Sequence, residues 1–141
     1  MSAQTDRPKY EVSFTLRGFS LPPEEVESIV GLQATLRGAA GALDRAGKTP
    51  LKRSFVQWSV ELPENSRMNT MIALLLEKLG GSEHIASVVQ RVAPDHTEVD
   101  LTLRVKDSEE QEGGFIDAVT IAALARMSAT LSVGIYRRFD A

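Results

Sequence analysis

Three segments of this chain alternate apolar and polar residues with period two. In YEVSFTLRGF, Tyr10, Val12, Phe14 and Leu16 fall on one side, and Glu11, Ser13, Thr15 and Arg17 on the other. RSFVQWSVEL repeats the pattern with Val56, Trp58, Val60 and Leu62 against Gln57, Ser59 and Glu61. TEVDLTLRVKD does so with Val99, Leu101, Leu103 and Val105 against Asp100, Thr102, Arg104 and Lys106. Period-two alternation marks a half-buried strand. Strands of a parallel sheet covered on both faces read instead as continuous apolar runs. The expected sheet is therefore largely antiparallel, with one face against a core and the other against water or a partner.

Between these strands the apolar spacing becomes helical. PPEEVESIVG places Pro22, Pro23, Glu24 and Glu25 at a helix start and Gly31 past its end, the order that backbone geometry and the helix dipole favour. SRMNTMIALLLEKLGG carries Met68, Met71, Ile72, Leu75, Leu76 and Leu79 on one stripe and ends at Gly80. SEHIASVVQRVAP forms the next helix, with Ser82 as the expected cap, Ile85, Val88, Val89 and Val92 inward and Pro94 as the stop. FIDAVTIAALARMS is a last helix and ATLSVGIYRRF a last strand. A short edge strand is expected near 33–37, and the Gly/Ala-rich stretch after it reads as a mobile loop. The fold class is α+β: a two-layer sandwich with helices on one sheet face. Residues 1–8 read as a disordered lead-in and 9–141 as one domain.

A chain of 141 residues suits one domain with a real core. Its net charge of −3 argues against general nucleic-acid binding, which needs concentrated positive charge. With no cysteine, disulfides, thiolate metal sites and cysteine nucleophiles are excluded. The polar start MSAQTDRPKY lacks the apolar run of a secretory signal. The stretch AVTIAALARMSATLSVGIY is interrupted by Arg126 and turns into a strand, so it is not read as a membrane span. A cytoplasmic protein with neither membrane nor nucleic-acid partner is expected.

Several motifs invite chemistry and lack its context. From Ala42, ALDRAGKT matches a relaxed phosphate-binding loop. A working loop follows a buried strand and runs into a helix, with Lys and Thr at that helix's start. Here Pro50 disfavours helical geometry at Thr49 and a strand pattern follows, so no nucleotide is expected to bind. His84 and His96 each follow an acid, but they fall at opposite ends of one helix, about 15 Å apart by helical rise. No metal site is expected. No serine sits in a glycine-flanked nucleophile elbow. The carboxylates of PPEEVE and SEEQE read as solvated. Trp58 reads as core. No catalytic, cofactor-binding or metal-ligating residue is therefore assigned.

The strand VSFTLRGF, the PPEEVESIVGLQAT helix and exit, the Trp of the second strand, the Leu-rich helix ending in GG and the final LSVGIY together resemble a family of small bacterial domains, domain of unknown function family 4279. The resemblance spans residues 10–138. It implies this α+β fold and no established activity. It also implies an acidic residue before the final IY, where this chain has Gly134.

Two classes of function follow. The first is a protein-binding module, an adaptor or immunity-type inhibitor, docking a partner on the polar sheet face through Arg17, Arg104, Tyr136 and Gln57. Arg and Tyr are enriched among interface hot spots. The second is a small enzyme or ligand-binding domain with its site at the 38–50 loop or between helices and sheet. The missing cysteine, phosphate loop, nucleophile elbow and histidine pair favour the first. A weak homodimer is also expected, through the 33–37 edge or an exposed last strand.

Overall fold

The computed structural model describes residues 10–43, 46–63, 66–106 and 114–138. The lead-in 1–8 and most of the acidic segment SEEQEGG lie outside them. Five strands and four helices follow in the order β1 (Tyr10–Arg17), α1 (Pro23–Val30), β2 (Leu36–Gly38), β3 (Phe55–Leu62), α2 (Met68–Leu79), α3 (Ser82–Val92), β4 (His96–Lys106), α4 (Ala118–Arg126) and β5 (Thr130–Arg138).

The strands form one open sheet in the order β2-β3-β1-β4-β5. β1 is central and pairs antiparallel with β3 and β4, with Phe14 opposite Trp58 on one side and Val99 on the other. β2 extends β3 antiparallel, and β5 joins β4 in parallel. Both β3 and β4 run opposite to β1, so they run parallel to each other. The chain must cross back over β1 between them, and α2 and α3 make that crossover. α4 makes the second, from β4 to β5.

The core lies on one face. Tyr10, Val12, Phe14 and Leu16 of β1, Val56 and Trp58 of β3, and Val99 and Leu101 of β4 are all buried in a single apolar cluster. Met71, Ile72, Leu75 and Leu79 of α2 and Ile85, Val88 and Val92 of α3 complete it, with Val26 and Val30 of α1 and Leu124 of α4. The Phe14 and Trp58 rings lie 6.0 Å apart at 31°. The Trp58 indole N–H donates to the Leu32 carbonyl at 3.0 Å, which satisfies its only polar atom and ties the exit of α1 to the sheet. The alternation thus gives the α+β sandwich with helices on one face.

Local details depart from expectation in three places. The edge strand spans Leu36–Gly38, later than 33–37. The Gly/Ala-rich excursion closes on itself: Gly41 N–H donates to Leu51 O, Leu51 N–H to Ala42 O, and Ala40 N–H to the Ser54 hydroxyl. Ser82 does not cap α3. Gly81 takes the cap position, its φ of 97° closed to most side chains, and Ser82 instead accepts a hydrogen bond from Arg126 of α4 at 2.9 Å.

α3 ends on Ala93 with φ 51° and ψ 56°, the left-handed conformation that costs a residue with a Cβ about 1–2 kcal/mol. The conformation is imposed because the Ala93 N–H closes the helix on Val89 O while Pro94 bars another turn. Ala93→Gly is expected to stabilise the protein by about 0.5–1 kcal/mol, net of the extra freedom glycine gives the unfolded chain. Thermal denaturation would show it as a rise of roughly 2–4 °C.

Candidate functional site

The side of the sheet away from the helices is laid out by strand register. One row across β3, β1, β4 and β5 reads Glu61, Glu11, Thr102, Gly134. The next reads Ser59, Ser13, Asp100, Ser132, and the next Gln57, Thr15, Glu98, Thr130. Phe55, Arg17 and His96 close one end. Arg104 and Tyr136, paired on β4 and β5, close the other.

All four residues singled out from sequence share this face but do not gather on it. Arg104 and Tyr136 are neighbours. Gln57 lies in the third row. Arg17 is opposite His96, eight residues along β4 from Arg104 and so about 26 Å away. Between the two basic ends lies an acidic middle that includes Glu11, Glu98 and Asp100. Ser13 and Thr15 of the central strand are buried although no helix among the described residues lies on this face. Asp100 accepts a hydrogen bond from the Ser132 hydroxyl at 2.6 Å, and Glu98 lies 3.9 Å from His96. Tyr136 is 59% exposed and its ring lies back over Gly134: a Cβ there would sit 3.2 Å from the ring. The acidic residue implied by the family resemblance would compete for the space that glycine leaves to the tyrosine.

The other sequence motifs are dispersed. Lys48 and Thr49 lie before the Leu43–Pro50 bridge closes and the chain enters β3, so no helix starts there. A His84 ring nitrogen is 2.8 Å from the Val30 carbonyl, and the ring packs close over Gly80, whereas His96 begins β4. Among the described residues, no group of three or more His, Asp or Glu is placed to hold a metal ion. Two shallow clefts lie at the helix layer, one between α3 and α4 beside Glu83, Gln90 and Arg126, the other beside Glu27 and Arg37.

Two polar ties were hidden in the sequence. Glu27, the last acid of PPEEVE, is buried rather than solvated. It accepts the Ala34 N–H at 2.6 Å and the Arg37 guanidinium at 2.9 Å, and so pins the segment that leads into β2. The second tie joins α2 to α4. Asp117 caps α4 by accepting the Thr120 N–H at 2.8 Å, and Asn69 both donates to its carboxylate and accepts its N–H. The Thr120 backbone N–H, then the Thr120 side chain, hold the Asp117 carboxyl below its ordinary range; partial desolvation opposes them, and Asn69 adds a smaller pull the same way. Both ties stabilise structure at the rim of the helix layer.

Glu27→Ala removes a carboxylate that accepts two hydrogen bonds, one from a cation. It is expected to destabilise the protein by roughly 2–3 kcal/mol in chemical denaturation. Glu27→Gln can still accept from Ala34 but loses the charge that faces Arg37. Because Arg37 is about half exposed and regains water, its loss should be smaller, about 1 kcal/mol.

No helix among the described residues is long and apolar enough to cross a membrane. Neither a curated protein nor a solved structure matches the chain. The family described as Domain of unknown function (DUF4279) matches residues 8–138, nearly the whole chain, and the chain belongs to that family.

Proposed function

We propose that the protein is a non-catalytic protein-binding module, an adaptor or immunity-type inhibitor of the bacterial cytoplasm, whose docking surface is the open sheet face. One observation carries this reading. Four helices pack on one side of the sheet, while the other side presents ordered rows of polar side chains with a half-exposed Tyr136 and Arg104 together at one end. Tyrosine and arginine serve as anchors in interfaces because each offers large area with directional polar groups. The acidic middle favours a partner that brings cationic side chains to Glu98 and Asp100, and disfavours a nucleic-acid backbone there.

Capture from native-host lysate with quantitative mass spectrometry tests it, using wild type, Tyr136→Ala with Arg104→Glu, Arg17→Glu, and a helix-side control, Arg91→Glu. The expected result is one partner held by wild type and by Arg91→Glu and lost at least tenfold in the Tyr136/Arg104 variant. Arg17→Glu reports whether the footprint reaches the far end of the sheet. A partner retained by every face variant, or lost equally with Arg91→Glu, would remove the sheet face as the docking surface.

A further inference from the structure

The two edges of the sheet are unlike. The β2 edge is three residues long and holds Arg37 and Gly38, a poor template for another strand. The β5 edge is nine residues long, contains no proline, and among the described residues pairs only with β4. Among the described residues no strand pairs with its outward N–H and C=O groups. On the helix side of β5, Val133 and Ile135 are 45% and 63% exposed although they continue the core-facing set. A long apolar edge of this kind is one that proteins normally blunt or cover.

α4, which delivers the chain to β5, has the same character. Thr120, Ala123, Leu124 and Met127 face the core. The outward positions are Ala118, Val119, Ile121, Ala122 and Ala125, with Val119 80% and Ile121 55% exposed. Arg126, the only charge on the helix, is bonded to Ser82 and so marks the flank toward α3. By helical rotation Ile121 lies on the opposite flank, away from α3. A helix apolar on nearly every side is one that meets protein all round.

We propose that a second copy of this chain covers this edge, by antiparallel pairing of β5 with β5 about a two-fold axis at Gly134. Three features select a second copy and this register. Antiparallel pairing of all nine residues, Thr130 with the partner copy's Arg138 onward, has its centre at position 134. A two-fold axis perpendicular to the sheet keeps both helix layers on one side and sets Val133 against Ile135 twice, so each copy's apolar pair meets its complement. Charge agrees. On the open face, Glu98 and Asp100 flank the first half of β5 and Arg104 flanks the second. The two-fold sets Asp100 of each copy in one row with Arg104 of the other, three strand spacings or about 14 Å across the seam, so opposite charges face each other there at long range.

The consequence is a continuous ten-stranded sheet. Each Tyr136 leaves the end of its own sheet and stands next to Ser132 of the partner copy near the axis, in the same row as Asp100 of that copy and two strands from it. The open face becomes one surface with both Tyr136–Arg104 pairs at its centre. This assembly does not rest on the docking reading, because it is argued from the backbone edge and the helix-side Val133 and Ile135, although Tyr136 belongs both to β5 and to the open face.

The cysteine-free chain allows a direct test. Directly opposed residues have Cα atoms about 4.5–5.5 Å apart, within the span of about 4.4–6.8 Å that a disulfide bridges. Only the residue on the axis meets itself. Gly134→Cys, with oxidised glutathione as the oxidant, is expected to give a disulfide-linked dimer in high yield, since the added Cβ approaches only the mobile end of the exposed Tyr136 ring. Thr130→Cys, whose two copies would lie roughly 27 Å apart, is expected to give none. Sedimentation equilibrium of the wild type at micromolar concentration should give twice 15.4 kDa, and Ile135→Lys should give 15.4 kDa with unchanged circular dichroism. A monomeric wild type, or equal cross-linking at 130 and 134, overturns the proposal. Should Ile135→Lys fail to fold, the cysteine pair and the wild-type mass still decide it.

Discussion

The structure depends on the two-sidedness of β1. This strand is central, flanked by β3 and β4, and its alternate residues Val12, Phe14 and Leu16 have no exposed surface. Its register sets every other position. Phe14 opposite Trp58 and Val99 aligns the apolar sets of three strands, and a slip of β1 by one residue would turn its Val12, Phe14 and Leu16 to the other face. The helices add their stripes to a surface that the sheet already defines. Placing the helices on one face also leaves an opposite face of mostly polar residues with no helix among the described residues against it, and the proposed docking surface is that by-product.

Polar ties then fix the rim. Glu27 holds the segment before β2, the Trp58 indole holds Leu32, and Asn69 with Asp117 joins the starts of α2 and α4. None involves a residue of β5, on which apolar Val133 and Ile135 are exposed. That contrast separates a rim closed within the chain from an edge whose chemistry asks for another strand.

The three alternating strands, the glycine-ended helices and the single-faced core were legible in the sequence because each rests on local periodicity. The parallel placement of β5 was not. TLSVGIY alternates as the other strands do, and its direction is set by the crossover through α4 rather than by its own residues. Glu27 looked solvated because its partners, Ala34 and Arg37, reach it only after the chain turns at Gly31. Ser82 looked like a cap because its type and position fit, but Gly81 before it adopts a backbone few other residues accept, and Arg126 claims the hydroxyl. On the candidate site, alternation placed Arg17, Gln57, Arg104 and Tyr136 on the same face. It carried no information on their order along the strands, which puts Arg17 at the end away from Arg104.

One sheet face holds the core, and no helix among the described residues lies on the other. Equilibrium denaturation of two adjacent variants tests it most directly. Phe14 and Thr15 are neighbours on β1, both buried, facing opposite ways. Phe14→Ala opens a cavity in the apolar cluster and is predicted to cost about 3–5 kcal/mol. Thr15→Ala removes a short side chain flanked by polar ones and is predicted to cost about 1 kcal/mol or less. Losses of equal size would mean that Thr15 packs into a second covered layer, and would contradict the one-faced architecture on which the rest is built.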